Sequence, residues 1–170
     1  MSISNGEKEA IARVRSFLDS HEYVGDVFHT EDTIFTVQDA SRAVGAPEAE
    51  ILKSILLRVN KGEYYVLALM SGVNRVDAKK IKNLLHASNV TFAAPEYCES
   101  WAGFKPGGVP PVGYPEQPKT FLDQDLFLYK TVWSAAGTEH AFFPVSPEKL
   151  MEMTGGTAAD IKKDPQENNV

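Results

Sequence analysis

The chain has 170 residues, of which 43% are hydrophobic and 24% are charged, and its formal net charge is −6. This length and composition are typical of a globular domain with one sizeable core, so we expect residues 1–170 to form a single domain. No stretch approaches the ~20 apolar residues of a membrane-spanning helix. The acidic balance argues against indiscriminate binding of nucleic acid, which depends on lysine and arginine at phosphates.

The amino terminus and the cysteine content favour a cytoplasmic protein. Residues 1–8 lack the basic region and the apolar stretch of a secretory signal. Cys98 is the single cysteine, which excludes an internal disulfide and fits a reducing compartment. The four histidines show no metal-ligand spacing with Cys98 or with each other, so we expect no metal and no other cofactor.

Capping signals and apolar periodicity predict the elements of the first half. A capping box precedes a helix over about residues 5–20, and a second one precedes a short helix over 37–44. Two strands follow, at 52–59 and 63–70, joined by a glycine-containing hairpin connection. Because both strands carry apolar residues on both faces, we expect them in the centre of a sheet that is covered on two sides.

The second half is predicted to place short helices and strands around a loop. The predicted elements are a basic helix at 77–85, a strand at 90–93, a helix at 95–101, strands at 120–122, 126–129, 132–135 and 141–145, and a helix between Ser146 and Gly155. The irregular order disfavours a doubly wound parallel sheet and favours one mixed α/β domain. The polar tail, 162–170, is expected to fray.

The loop Gly103–Gly113 alternates glycine and proline too densely for the interior of a helix or a sheet. Proline fixes φ and removes amide donors, whereas glycine permits positive φ and lets another molecule approach the main chain. Such a loop can present backbone amides to a ligand, or it can be a rigid connector between two elements. The segment alone leaves both alternatives open.

Lys53 is the unusual residue of the first predicted strand. Strand alternation places it on one face with Ile55 and Leu57, while Ser54 lies on the other face. Burying an unpaired ammonium is costly, so the side chain must either extend to the edge of the sheet or meet an anion. Extension to the edge is the commoner outcome, and an anionic ligand in a cleft beside the strand is the more specific hypothesis.

A group of basic residues surrounds the predicted helix at 77–85. Arg75, Lys79 and Lys82 fall at about helical spacing, and Lys80 is adjacent to them. The opposite side of the helix carries Ile81, Leu84 and Leu85. The basic residues form either a phosphate-binding surface or a solvated helix face, and the pattern does not decide between them.

Cys98 and His140 are the remaining side chains with reactive groups that we considered. No base for a Cys98 nucleophile is recognisable, and a lone cysteine on a helix is usually a small buried hydrophobe. His140 follows a predicted strand and either stands at a pocket mouth or is a surface turn residue. No catalytic triad, phosphate-binding loop, dinucleotide fingerprint or carboxylate pair stands out. The residues alone therefore indicate a cleft with a lysine and a rigid loop.

Seven short segments follow one another along the chain: Ile51–Leu57, Ser71–Asp77, Gly103–Gly113, Leu122–Asp123, Val132–Gly137, Ser146–Leu150 and Thr154–Gly156. In this order and spacing they resemble the YbaK/ProX family, whose members are aminoacyl-tRNA editing domains, free-standing or inserted in bacterial prolyl-tRNA synthetase. The likeness spans about residues 25–161. It leaves an N-terminal helix within 1–24 and the tail at 162–170.

The resemblance implies a mixed α/β fold with a mainly antiparallel, partly barrel-like sheet flanked by helices. It also implies hydrolysis of amino acids wrongly esterified to tRNA. Lys53 matches the family's essential strand lysine, residues 107–111 match the loop that lines the catalytic pocket, and Gly137 matches a glycine of the pocket wall. The residues expected to act in catalysis are Lys53, Gly107 and Gly108, and those expected in the substrate pocket are Ser54, Pro110, Pro111, Gly137 and His140.

The implied partner is the CCA end of tRNA, with an aminoacyl-tRNA synthetase as a second candidate partner. The residues expected to contact phosphate are Arg75, Lys79, Lys80, Lys82 and Lys105. The expected substrate carries a small amino acid such as Ala, Ser, Thr or Cys. The segment 138–141 matches no subfamily signature and leaves that choice open. A non-catalytic tRNA- or synthetase-binding module and a small-molecule hydrolase with the same cleft are the alternatives.

Overall fold

The computed structural model describes residues 4–105 and 108–165. The α-helices in these ranges are α1 (Asn5–Ser20), α2 (Val37–Val44), α3 (Ala78–Leu85), α4 (Pro95–Ala102) and α5 (Pro147–Thr154). The strands are β1 (Phe28–His29), β2 (Leu52–Val59), β3 (Tyr64–Ser71), β4 (Val90–Phe92), β5 (Lys119–Asp123), β6 (Val132–Ala135), β7 (Ala141–Val145) and β8 (Thr157–Ala159). Short 3₁₀ helices span Glu48–Glu50 and Gln124–Leu128. None of the described helices has the length and apolar character needed to cross a membrane.

The strands form two sheets that meet beside β2. The larger sheet has the order β4-β2-β3-β5-β8, in which the β3–β5 and β5–β8 pairs are parallel and the β4–β2 and β2–β3 pairs are antiparallel. The smaller sheet, β1-β7-β6, is antiparallel. A single bridge between Ile51 and Trp133 connects them. The predicted mixed α/β class with a mainly antiparallel sheet is confirmed, and the described strands do not close into a barrel.

Apolar residues cover both faces of β2 and β3, as their sequences predict. On one face, Leu52 and Leu56 pack in a core that also includes residues of α1 and α5. On the other face, Leu57 and Val59 pack with Ile81 of α3. The two strands therefore occupy the centre of the sheet, and their faces are closed to ligands over most of their length.

Capping residues set the helix bounds close to those predicted. Ser4 with Glu7, and Thr36 with Asp39, each exchange both hydrogen bonds of a capping box. The helix α4 begins at Pro95 and ends at Gly103, whose φ of +76° is left-handed.

Two expectations about the predicted elements are wrong. The segment predicted as a strand at 126–129 is instead a 3₁₀ helix, because the Asp123 carboxylate accepts a hydrogen bond from the Asp125 amide at 3.0 Å and caps a helical turn. A short apolar run does not by itself distinguish a strand from such a turn. Leu84 is 46% exposed and does not join the apolar side of α3.

The tail is ordered at its start rather than frayed. Lys162 forms a bridge with Val76, and the Lys163 amide donates to the Arg75 carbonyl at 2.8 Å. Residues 166–170 lie outside the described residues. The strands β1 and β8, of two and three residues, were not predicted because so short a segment carries no periodicity.

Helix α1 packs against the two loops that lie near the junction of the sheets. At Gly137, where φ is +101°, an added Cβ would lie 2.9 Å from the Ala10 carbonyl oxygen. At Gly113 it would lie 3.2 Å from Val14. Arg13 donates hydrogen bonds to the carbonyls of Ala102 and Gly103. The helix thus fixes the ends of the loop Gly103–Gly113 and the segment around Gly137.

Candidate active site at the open edge of β2

The outer edge of β2 is covered along only half of its length. β4 pairs with Leu57–Val59, and the Ala93 amide adds a hydrogen bond to the Leu56 carbonyl at 3.0 Å. At the other end, β6 meets β2 at the bridge between Ile51 and Trp133, and beside Lys53–Ile55, where no described strand pairs with this edge, lies a cleft of about 290 Å³. The cleft is lined by Ile34, Phe35, Thr36, Val37, Ala40, Ile51, Leu52, Lys53, Ser54, Ile55, Val109, Ala135 and Phe142.

The main chain of Ser54 faces this cleft. The Leu56 carbonyl points toward β4, and main-chain groups of a strand alternate between its two edges with a period of two residues. The N–H and C=O of Ser54 therefore point to the same edge, where no described strand pairs with them. The cleft accordingly holds a backbone donor and a backbone acceptor that the sequence analysis did not identify.

Lys53 lines the cleft and is half-buried. Its Nζ donates a hydrogen bond to the main-chain carbonyl of Asn74, in the turn that follows β3. Burial lowers the pKa of Lys53, and the nearby charge of Arg75 lowers it further, while the carboxylate of Asp123 acts in the opposite direction. Among the described residues no carboxylate lies within ion-pair distance of Nζ. The ammonium is thus anchored to a main-chain carbonyl, without an ion-pair partner among the described residues.

Gly108, one of the residues expected to act in catalysis, makes close contacts within the fold. Gly108 is buried, and an added Cβ would lie 2.5 Å from the Cα of Thr138 and 2.8 Å from the Gly137 carbonyl oxygen. Its amide donates to the Lys105 carbonyl at 3.0 Å. Glycine is therefore required at 108 for contact between two loops, and its N–H is already hydrogen-bonded. Gly107 lies outside the described residues.

Pro110 and Pro111, expected in the substrate pocket, are buried and are not among the residues that line the cleft. The Pro110 carbonyl accepts a hydrogen bond from the Tyr114 hydroxyl at 2.7 Å, and the Pro111 carbonyl accepts one from Gln117 Nε2 at 2.9 Å. Burial raises the pKa of Tyr114, which keeps this hydroxyl a donor. Val109 is the residue through which the described part of the loop contacts the cleft.

Gly137 and His140 also lie outside the lining of the cleft. Gly137 packs on α1 instead. His140 contacts the segment Thr30–Asp32, which continues to the wall of the cleft. Its carbonyl accepts a hydrogen bond from the Thr30 amide at 2.8 Å, and its Nδ1 lies 3.1 Å from the Asp32 carbonyl oxygen. His140 therefore holds in place the chain that continues to Ile34, without facing the cleft itself.

A second cavity, of about 800 Å³, lies between the start of α1 and the loop ends. Its wall includes Arg13, Lys105 and Gly137, together with carboxylates such as Glu99. Gly108 and Thr138 meet between this cavity and the cleft beside β2. Lys105 is thus exposed on a different side of the loop from Lys53.

The basic residues of α3 lie on the same face of the large sheet as the Lys53 side chain. Lys79 and Lys82 are exposed there, as is Arg75. Lys80 differs, because its Nζ lies 3.1 Å from Asp160 and 2.8 Å from Asp164, which raise its pKa. The expected phosphate contact by Lys80 therefore competes with two carboxylates of the C-terminal segment.

Within residues 4–105 and 108–165, no group of three His, Cys, Asp or Glu side chains is arranged to hold a metal ion. Cys98 is half-buried, and burial raises the pKa of its thiol. Since the thiolate is the nucleophilic form, this shift favours a packing role for Cys98.

Comparison with known proteins places these observations in a family. Residues 31–153 match the family model described as the aminoacyl-tRNA editing domain. The chain belongs to this family. The matched range contains the whole lining of the cleft beside β2.

Relatives of the editing domain include both separate proteins and parts of larger ones. A crystal structure of a candidate trans-editing enzyme for prolyl-tRNA synthetase superposes with a TM-score of 0.85 at 35% identity, covering 96% of this chain and 100% of that one. A candidate Cys-tRNA(Pro)/Cys-tRNA(Cys) deacylase, EbsC of Enterococcus faecalis, is 24% identical over 126 residues, 74% of this chain and 76% of that protein. A proline–tRNA ligase of Nitratidesulfovibrio vulgaris is 37% identical over 91 residues, 54% of this chain and 16% of the ligase.

The lowered pKa of Lys53 predicts a pH-dependent stability. Because the folded state disfavours the charged form of Lys53, this residue lowers the free energy of unfolding at pH values below its pKa in the folded protein. The loss disappears as pH rises from that value toward the pKa of lysine in the unfolded chain, about 10.4. Lys53→Met should therefore raise the free energy of unfolding at neutral pH, and the gain should shrink as pH rises through that window. Urea unfolding between neutral and alkaline pH measures it. Lys79→Met, at an exposed position on α3, is the control, and equal pH profiles for both variants would contradict the prediction.

Proposed function

We propose that this editing domain acts in trans as an aminoacyl-tRNA deacylase, hydrolysing the ester of mischarged tRNA in the cleft beside Leu52–Ile55. The observation that carries the proposal is the half-buried Lys53 at an uncovered strand edge, in the part of the chain that matches the family. A lysine without an ion-pair partner at such a position is costly unless an anionic or strongly polar ligand meets it.

An aminoacyl ester is already activated, so hydrolysis requires an oriented water and stabilisation of the oxyanion that forms at the carbonyl. Backbone N–H groups fixed by the fold are effective donors for this charge. Ser54 offers one at the open edge of β2, and we propose it in place of the occupied amide of Gly108. Gly107 stays a candidate second donor on sequence grounds.

Lys53 is proposed to orient the substrate by its charge. Its ammonium can bind a phosphate of the terminal adenosine or the ester oxygen, and holding reacting groups in place contributes strongly to rate. Lys53→Arg would change the donor geometry, because the guanidinium is a planar fork and not a compact ammonium.

The substrate is proposed to be a tRNA that carries a small amino acid, Ala, Ser, Thr or Cys. Ile34, Ala135 and Phe142 give the cleft an apolar wall, which suits the side chain of a small amino acid. One methylene discriminates by only ~1–3 kcal/mol, so a synthetase that loads near-isosteric amino acids gains fidelity from a second hydrolytic site. The name of EbsC, a candidate Cys-tRNA(Pro)/Cys-tRNA(Cys) deacylase, supports Cys as one of these amino acids.

The proposed macromolecular partner is the CCA end of tRNA, with Arg75, Lys79 and Lys82 at phosphates on the Lys53 side of the sheet. An aminoacyl-tRNA synthetase is proposed as a second partner because related domains occur within proline–tRNA ligases. The proposed location is the cytoplasm, and the proposed hydrolysis requires no metal. The alternative is a non-catalytic tRNA- or synthetase-binding module, which the occupied amide of Gly108 favours.

The enzyme proposal predicts release of amino acid from at least one tRNA mischarged with Ala, Ser, Thr or Cys, and it predicts sparing of most correct pairs. Lys53→Ala should lower kcat/KM by ~10² or more, about 2.7 kcal/mol of transition-state stabilisation, with partial recovery in Lys53→Arg. Deacylation of a radiolabelled aminoacyl-tRNA panel measures both effects, and EDTA should leave the rates unchanged.

Three outcomes of this assay separate the alternatives. A panel with no deacylation but retained tRNA binding supports the non-catalytic module. Hydrolysis of small esters alone supports a small-molecule hydrolase. Wild-type turnover by Lys53→Ala, in protein that unfolds at the wild-type temperature or above, contradicts the assigned role of this residue.

The basic side of the sheet is predicted to act through tRNA affinity. Lys79→Ala and Lys82→Ala should each raise KM for tRNA and reduce the steepness of its salt dependence, with little change in kcat, because phosphate contacts position the substrate without joining the chemistry. The control is Lys149→Ala, on α5 at the opposite side of the large sheet. Measuring KM for tRNA at several salt concentrations tests this prediction. If the salt dependence of KM in the variants equals that of the wild type, Lys79 and Lys82 do not contact phosphate and are solvated surface residues.

A further inference from the structure

The turn after β3 connects Lys53 to a buried carboxylate. The main-chain carbonyl of Asn74 accepts the hydrogen bond from Lys53 Nζ. The side-chain amide of the same residue donates to Asp123 Oδ2 at 2.8 Å and to Asp125 Oδ2 at 2.9 Å. Both N–H groups of the amide are thus engaged, so one residue holds the lysine with its main chain and two carboxylates with its side chain.

Asp123 is fully buried at the end of β5 and accepts from three groups. Besides Asn74, these are the amide of Ser71 at 3.2 Å and the amide of Asp125 at 3.0 Å. Asp125 has a cationic partner, Lys162, but among the described residues Asp123 has no basic group within ion-pair distance. Burying a carboxylate without a cation is costly even when hydrogen bonds satisfy its oxygens.

The fold therefore retains a costly charge at one specific place, beneath the turn that anchors Lys53. The Asp123 carboxylate fixes both the amide at the end of β3 and the side chain of Asn74, which together determine where the Asn74 carbonyl points. The negative charge of Asp123 also favours the protonated form of Lys53, which burial and the positive charge of Arg75 disfavour. A hydrophobic residue at 123 would give a less costly core but would leave this turn without its anchor.

We infer that Asn74 and Asp123 are positioning residues for Lys53, which hold its ammonium in the cleft in the orientation that the substrate requires. This inference rests on the proposed deacylase function of the cleft. Neither residue lines the cleft, so their effect on the reaction passes through Lys53.

A double-mutant cycle tests the inference, because residues that act through one another are not additive. Asn74→Ala should lower kcat/KM about 10-fold to 100-fold, mainly in kcat, since a misplacement of ~1 Å costs as much as 10²-fold. In the Lys53→Ala background the same change should have less than about a 2-fold effect. Single-turnover deacylation at high protein concentration measures the weak variants.

A second variant separates positioning from a general loss of structure. Asp123→Asn keeps the volume of the side chain but leaves one acceptor oxygen in place of two, so at least one of the N–H groups of Ser71, Asn74 and Asp125 loses its partner. It should lower kcat/KM in the wild-type background and have less than about a 2-fold effect in the Lys53→Ala background. Because it also removes a buried charge, it keeps the test available if Asn74→Ala fails to fold.

Asn60→Ala is the matched control at the other end of the β2–β3 pair. The Asn60 side chain donates to Glu63 at 3.0 Å and accepts from the Ser88 amide at 2.9 Å, so this variant also loses hydrogen bonds of a turn. It should lower the unfolding temperature and leave kcat/KM within about 2-fold of wild type.

The outcomes distinguish this inference from the proposed function. If the wild-type protein deacylates and Lys53→Ala does not, but Asn74→Ala causes the same loss in both backgrounds, the positioning role is overturned and the deacylase proposal stands. An equal loss from Asp123→Asn in both backgrounds, in folded protein, also overturns the positioning role. An inactive wild-type protein overturns both.

Discussion

The structure depends on a strand that is closed on both faces and open along half of one edge. β2 lies between β3 and β4, with apolar cores above and below, yet β4 ends its pairing at Leu57. The part of this edge beside the cleft, from Lys53 to Ile55, is therefore where a ligand can meet the strand. A strand edge offers main-chain donors and acceptors at fixed positions, which the core behind it prevents from moving. The rigidity of the core and the exposure of this edge together create the candidate site.

The walls of the cleft come from elements far apart in sequence, and contacts between backbones bring them together. Gly108 meets Thr138, and Gly137 meets Ala10 of α1, at distances that leave no room for a side chain. These contacts place Val109 and Ala135 opposite β2. The glycines thus contribute to the site by allowing loops to pack, and the ligand-facing surface is mostly apolar side chains and the edge of the strand.

The sequence predicted the helices, the central strands and the unusual position of Lys53, because these follow from local periodicity and capping. It could not predict that Ile34–Thr36 and Phe142 join the cleft, since no local pattern links them to β2. The contacts of Gly108 and Gly137 could not be predicted for a related reason: glycine density shows that something approaches the backbone, and only the structure shows that at Gly108 this is another loop and at Gly137 it is α1. The 3₁₀ turn after Asp123 was missed because the apolar run that it carries fits a strand equally well.

The central claim is that the substrate binds at the open edge of β2. A non-hydrolysable 3′-aminoacylamino-adenosine bearing alanine, titrated into isotopically labelled protein, tests it through amide chemical shifts. The account predicts the largest changes at Ser54, Val109 and Ala135. Changes confined to Arg13, Lys105 and the other residues of the cavity beside α1 would contradict it.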